Sequence, residues 1–393
     1  MLLKHGIVSF KFINLCILRQ QLSSFHVKII IEKMENLSIK CRNSGGSKML
    51  QLEAIILYCL KQLNSERTIY SIYHLLNGKK SSQTIQDAHL FSLKKFFGIY
   101  ETLTRESFDE IIQSMIKKGW IDHSGEQHYL LTYSGISILE INPIPSCLNG
   151  WSYHPYTSLF WERLSLLIQV TSNLVYRDTR YVPIQKNKDV HLWLKSALKE
   201  FKAPRKELGS ILHSELIECF NKTKEINPSI LVFRLTGFQQ IGLTPLQIIK
   251  KLNMNIHDYH IGFIHSLHYL IQTIMQDPIR FTMLSLLIKD FYQKDELTLS
   301  SRKTWKLLNQ GYSPDTIAMF RNLKVSTIED HLVEFALHVD HFSIDPYVDI
   351  ELQTKIVEIS RDIGRRQLKL IKEKLKAATY FQIRLVLAKY GGE

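Results

Sequence analysis

Two short strings in this chain each write the end of one helix and the start of the next. They are Gly242-Leu-Thr244-Pro245-x-x-Ile248 and Gly311-Tyr-Ser313-Pro314-x-x-Ile317. In each, the glycine closes a helix and Thr or Ser supplies the oxygen that caps the next. Proline then takes the first helical position, where its missing N–H costs nothing. Such punctuation commits the chain to short helices joined by tight turns. Either the strings mark two helix-turn-helix units, or they are good helix starts that any helical protein repeats. The later string is the firmer of the two.

The rest of the chain has the same period. Leu52, Ile55, Ile56, Cys59, Leu60 and Leu63 follow the i, i+3, i+4, i+7 rule of a one-sided amphipathic helix. A second helix is predicted from the cap Thr68 to Gly78 and a third from Ser82 to Phe97. A fourth runs from the cap Thr104 through Lys118, with Gly119 as its stop. Two strands follow, Trp120-Ile121 and Tyr129 to Thr132, around a polar turn at Ser124-Gly125. A helix followed by a ribbon is the order of a winged helix, and also of many small α+β domains. Pro143, Pro145 and Asn149-Gly150 mark a boundary near residue 148; helical patterning then continues, broken at Pro183, Pro204, Pro228 and Pro278. The expected fold is mainly α, a multidomain helical protein. Its parts are a winged-helix-like domain (49–148), a helical middle domain holding the earlier string (149–295), a helix-turn-helix domain (296–346) and a basic helical segment (347–393).

Residues 1–48 stand apart, with eight Lys and Arg against only Glu32 and Glu35. Their apolar stretch Ile7 to Leu18 is interrupted by Lys11, too short and too charged to span a bilayer, and no small-residue cleavage site follows. Gly45-Gly46-Ser47-Lys48-Met49 can be encoded with a GGAGG ribosome-binding sequence just ahead of the Met49 codon. The expectation is that 1–48 are translated leader and that the protein proper starts at Met49.

Composition excludes more than it assigns. Apolar residues at 45% and charged residues at 22% are ordinary globular usage, so disorder is not the default. A net charge of +13 favours polyanionic partners. Cys16, Cys41, Cys59, Cys147 and Cys219 form no C-x-x-C pair, which argues against a zinc knuckle or a disulfide framework and fits a reducing cytosol. Gly78-Lys79 lacks the upstream glycine of a phosphate loop, and neither G-x-G-x-x-G nor G-x-S-x-G occurs. His257, His260, His265 and His268 tempt a metal reading, but they interleave with Ile261, Phe263, Ile264 and Leu267. They are expected to be packed or surface histidines, as is the His338-Asp340-His341 group. No catalytic residue, metal or cofactor is expected, and a metal-dependent hydrolase is the least favoured class.

The strongest motif begins at Ser300. A helix runs to Gln310, Gly311 ends it, and Ser313 caps a second helix to about Arg321. After the turn Asn322-Leu-Lys-Val325 a third helix, capped by Ser326, carries Ile328, Leu332 and Phe335 or Ala336 inward. Three short helices so spaced make a helix-turn-helix whose third helix would enter the major groove. Arg321, Lys324, Ser326 and Thr327 at its leading edge are candidate DNA contacts. Against this, the reading helix carries Glu329, Asp330 and Glu334, and phosphate attraction dominates DNA affinity. Docking to protein is therefore an equal reading of the module. Basic residues appear instead further on. Arg361, Arg365, Lys369, Lys372 and Lys376 recur at helical spacing beside Leu368, Ile371 and Leu375, a row suited either to tracking a phosphate backbone or to a solvated face.

Residues 300–346 resemble the helix-turn-helix domain appended to some RecQ-type DNA helicases. Over about 49–393 the chain is similar to the YpbB family of Bacillus-type bacteria. That likeness lies in Glu66-Arg-Thr-Ile-Tyr-Ser-Ile-Tyr, Lys80-Ser-Ser-Gln-Thr-Ile-Gln-Asp and the ending Tyr380-Phe-Gln-Ile-Arg-Leu-Val-Leu-Ala. The resemblance implies association with a RecQ-type DNA helicase, whose gene tends to neighbour those of this family, and it carries over no catalytic residue. The expectation is a non-catalytic accessory factor in replication, recombination or repair of DNA. It would be cytoplasmic and nucleoid-associated, with no membrane partner and with sequence-independent DNA contact. The alternative is a sequence-specific transcription regulator, which needs outward Arg, Lys, Asn or Gln on the reading helix.

Overall fold

The computed structural model describes residues 49–291, 297–363 and 368–390, so the leader expected over 1–48 and the basic residue Arg365 lie outside the described residues. The described chain is mainly helical, with one two-stranded sheet. The first region opens with α1 (Gln51–Leu63) and α2 (Ile69–Leu76), the latter starting after Thr68 as predicted. α3 (Ser82–Leu90) stops short of the predicted Phe97, because Ser92 turns into the left-handed region at φ 54° and one 3-10 turn, Lys94–Phe96, follows. A continuous helix would set Phe91 and Phe96 about 140° apart; the kink lets Phe91, Phe96 and Phe97 all enter the core. α4 (Arg105–Lys117) is capped by Thr104 Oγ1, which accepts from Ser107 N at 3.2 Å, and it ends at Gly119 with φ 67°. The hairpin of β1 (Ile121–Gly125) and β2 (His128–Leu131) pairs Ile121 with Leu131 and His123 with Tyr129, and α5 (Tyr133–Ile141) follows.

The middle region begins with α6 (Gly150–Val175), capped by Asn149. It continues through α7 (Lys188–Glu200), α8 (Leu208–Asn221), the single turn α9 (Ser229–Val232), α10 (Pro245–Leu252) and α11 (Ile256–Gln276). Pro183, Pro204 and Pro278 fall between helices and Pro228 sits at the start of α9. The last region holds α12 (Leu299–Leu308), α13 (Pro314–Arg321), α14 (Val325–His338), α15 (Ile350–Ile363), α16 (Leu368–Lys374) and α17 (Tyr380–Tyr390).

One hydrophobic core joins the two ends of the chain, with Leu57, Phe96 and Phe108 from the first region in the same cluster as Phe335, Ile383 and Leu387 from the last. The middle region keeps a second core around Phe160, Leu194, Leu270 and Phe281. α1 is where these parts meet. Its sequence predicts one apolar stripe, yet Ala54, Leu57 and even Glu53 are buried beside the predicted positions. The reason is tertiary: β2 and α5 cover one side while α11 of the middle region packs on another. A charge on the buried part of such a helix must be neutralised. Glu53 accordingly accepts from Lys118 Nζ at 2.6 Å and Leu50 N at 3.0 Å.

Candidate nucleic-acid interface

The helix-turn-helix is built by local signals that do what the sequence predicts. Thr298 Oγ1 caps α12 and Ser313 Oγ caps α13, and Gly311 between them has φ 88°. Asn322 closes α13 in the left-handed region at φ 51°, and Leu323 N then bonds back to Ala318 O at 2.9 Å. The turn is so tight that α14 starts early. Its N-cap is Lys324 in extended backbone, with no side-chain cap, so Ser326 lies within the first turn rather than capping it. Ile317, Ala318 and Ile328 fill the small cluster under the turn, and Leu332, Phe335 and Ala336 point into the main core.

What surrounds α14 changes its meaning. Every residue from His331 to Ala336 is buried, on the outward face as well as the inward one. α3 of the first region packs along it on one side and α17 on another. Asp330, one of the acids that make this helix a poor groove ligand, pairs with Arg384 of α17 at 2.8 Å. The same Arg384 Nε donates to Gln86 Oε1 of α3 at 3.1 Å. His338 stands edge-on to His89 of α3 and stacks on Trp151 of α6. Glu334 is turned back into the module, where its carboxylate accepts from Thr298 and Ser301 at the start of α12. Burial raises its pKa, against the lowering effect of those hydrogen bonds. Glu334 thus holds the module together, and Asp330 ties α14 to α17, whose Arg384 reaches α3 of the first region.

The predicted contact residues divide accordingly. Lys324 and Ser326 are exposed and Thr327 is half-buried, so the leading edge of α14 remains open to solvent. Arg321 does not face outward as predicted. Its guanidinium donates to Ser300 O at 2.9 Å and to Thr304 Oγ1, tying α13 to α12. Thr304 Oγ1 in turn lies 2.8 Å from His331 Nδ1, on an imidazole whose pKa burial lowers to about 4. The outward face of α13 shows Met319 73% and Phe320 63% exposed, beside the exposed Asp315 and no exposed cation.

The C-terminal basic row also differs from its prediction. α16 ends at Lys374, because Thr379 and Gln382 form a reciprocal cap that starts α17, so Lys376 lies in the intervening turn. Lys372 Nζ bends over to donate to the Lys376 carbonyl at 2.7 Å. α15, which carries Arg361, touches α16, which carries Lys369. Lys369 and Lys376 are exposed and Lys372 half-buried.

The earlier string folds into the same turn. α10 starts with Pro245 after the cap Thr244, ends at left-handed Asn253 with φ 51°, and two residues later gives way to α11. Gly242, however, closes no helix. It is needed because a Cβ there would meet the Arg234 carbonyl at 2.2 Å, and only the single turn α9 precedes it. α11 carries the four histidines, and each ties it to a different neighbour. His257 Nδ1 meets Tyr100 Oη at 2.9 Å, His260 Nε2 meets Ile99 O at 2.9 Å, and His265 Nε2 accepts from Cys147 N at 3.4 Å. His268 Nδ1 accepts from Asn149 N at 3.2 Å while its Nε2 lies 3.1 Å from Thr157 Oγ1, whose own proton goes to Tyr153 O. That pattern requires the neutral Nε2–H tautomer, and burial holds the pKa down at about 3. Among the described residues no three His, Cys, Asp or Glu gather where a metal could sit.

One charged surface was not singled out in the sequence. Between Arg177 and Lys206 stand nine Lys and Arg against three acids, centred on α7. The signal was legible as Lys188, Lys195 and Lys199 at helical spacing between Pro183 and Pro204.

A helix of eight residues, a left-handed turn and a longer helix packed across it, with α12 behind, define a helix-turn-helix protein. A helix-turn-helix domain family matches residues 300–387, a span that takes in α15, α16 and most of α17 beside the three motif helices. The chain is also 34% identical over 346 residues, 86% of its own length and 97% of the relative's, to Protein YpbB of Bacillus subtilis (strain 168). The chain belongs to the YpbB family. No solved structure matches it. Among the described residues no helix is long and apolar enough to cross a membrane.

Proposed function

We propose that this protein is a non-catalytic accessory factor in DNA replication, recombination or repair, working in the cytoplasm at the nucleoid beside a RecQ-type helicase. It contacts DNA through the phosphate backbone rather than by reading sequence. The observation that carries this reading is the burial of α14 from His331 onward between α3 and α17. A reading helix needs its outward face free for base edges. Here only the first turn, Lys324 to Thr327, is offered, and it holds one cation. Lys369, Lys372 and Lys376 supply further positive charge that carries no sequence information. The helicase partnership rests on the resemblance to the helix-turn-helix domain appended to such helicases. The ordering of α4 and the hairpin fits a winged-helix-like unit in the same kind of protein.

The test is fluorescence anisotropy with duplexes of unrelated sequence, across a salt series. Affinities are expected to agree within about threefold between sequences, since one base mismatch in a specific site already costs about 1–3 kcal/mol. The log–log salt slope should flatten by about 0.9 per phosphate contact removed on duplex, or about 0.7 on single strands. The K369Q/K372Q/K376Q variant should weaken all sequences alike. A single preferred sequence, lost on Thr327→Ala, would instead make the protein a transcription regulator. Retention of a RecQ-type helicase on the immobilised chain tests the partner.

A further inference from the structure

Resting on that reading of DNA contact, we propose that the main phosphate-binding surface is the outer face of α7 with its flanking segments, not the helix-turn-helix. At about 100° per residue, Lys188, Leu192, Lys195 and Lys199 fall within a sector of about 60°. Val190, Leu194 and Ala197, on the opposite side, are buried against α6. The three lysines are exposed, and among the described residues no carboxylate lies within ion-pair distance of any of them. Of the three acids in the stretch, Glu200 is paired with Lys289. Lys202, Arg205 and Lys206 extend the charge into the exposed connection to α8.

The face is built rigidly. The strap ahead of α7 is pinned to α6 by the buried Gln169, whose Nε2 donates to Val182 O at 3.0 Å and whose Oε1 accepts from Ile184 N at 2.8 Å. Gln185 Nε2 reaches Ser165 Oγ at 2.8 Å, and Asn187 both caps α7 and donates to Glu162 at 2.9 Å. On such a frame the backbone needs no ordering when a ligand binds, and only the lysine side chains lose freedom. From Lys188 to Lys199 the helix rises about 16 Å. That matches the axial run of about five phosphates along one duplex strand, at about 3.4 Å each. Leu192, 63% exposed in the middle of the row, adds an apolar contact that a sugar or an unstacked base can meet. By contrast the helix-turn-helix presents Met319 and Phe320 where a backbone-crossing helix needs charge.

The experiment compares K188Q/K195Q/K199Q with the intact chain and with K369Q/K372Q/K376Q, using a labelled 20-base-pair duplex and a 20-nucleotide oligothymidylate. The α7 variant is expected to bind at least about tenfold more weakly at 0.1 M salt. Its salt slope should fall by about 2.7 on duplex or about 2.1 on single strand, depending on which is held. Circular dichroism should show an unchanged melting midpoint, and K188R/K195R/K199R should bind like the intact chain. If the intact chain binds and the Gln variant binds equally well, the α7 surface is wrong while the DNA reading stands. If the intact chain binds neither probe, the DNA reading fails and this proposal with it. Binding of phosphatidylglycerol vesicles, but not nucleic acid, through the same lysines would replace the partner with a membrane.

Discussion

α10–α11 and α13–α14 are the same turn in two settings. Both begin with a capped proline and end an eight-residue helix on an asparagine at φ 51°. Ile248 and Ile317 are buried at matching points, as are Tyr259 and Ile328 on the following helices. They differ in what covers the second helix. α11 lays Ile261 into the main core against α1, whereas α14, at the equivalent Asp330, pairs with Arg384 of α17, which in turn bonds Gln86 of α3. Both second helices thus pack along the first region on a face that a DNA-reading helix keeps free. Two turns built alike residue by residue specify one local geometry, and its use depends on what packs across it.

The contrast is sharpened most by truncation at the matched docking position. Ile261→Ala should cost about 2–5 kcal/mol in chemical denaturation, the range for large-to-small changes in a packed core. Phe335→Ala, which removes a fully buried ring from the other docked helix, should cost about 3–5 kcal/mol. A cost below about 1 kcal/mol at either site would mean that the helix is not docked in solution.

Acid should loosen both helices for a shared reason. His268 on α11 and His331 on α14 are buried and neutral, with pKa values lowered by burial to about 3 and about 4. Below the ordinary value near 6.5 the unfolded chain takes up protons that these folded groups refuse. Stability is therefore flat above about pH 6.5 and falls as pH drops toward the folded values, by up to about 1.4 kcal/mol per pH unit for each group. His268→Gln should remove one such increment from the slope between about pH 6 and 4. An unchanged slope would show that the imidazole is already protonated in the fold.

Smaller effects test the polar dock. Asp330→Asn should cost about 1 kcal/mol or less, because the pair is partly solvated, and added salt should shrink the difference. Smallest of all, Ser326→Ala should stay within about 0.5 kcal/mol, as expected for an exposed site that neither caps nor packs. A loss near 1 kcal/mol would restore Ser326 as the cap of α14.

By itself the sequence determined the helical class, both Pro-started turns, the cap at Thr104, the stop at Gly119 and the inward residues Ile328, Leu332 and Phe335. These depend on backbone chemistry and periodicity within a few residues, so they survive without knowledge of neighbours. Three things were decided only by the tertiary structure. α1 became a helix enclosed on nearly all sides because α11, about two hundred residues away in the chain, covers its second face. Asp330 and Glu334 of α14, read locally as a liability toward DNA, proved to be docking and internal hydrogen-bond partners. Lys376 fell out of the C-terminal basic row because α16 ends at Lys374 and Thr379 starts a new helix. Charge and apolar pattern tell which residues seek a partner. Which partner each one meets is fixed by contacts between distant segments, which no local period encodes.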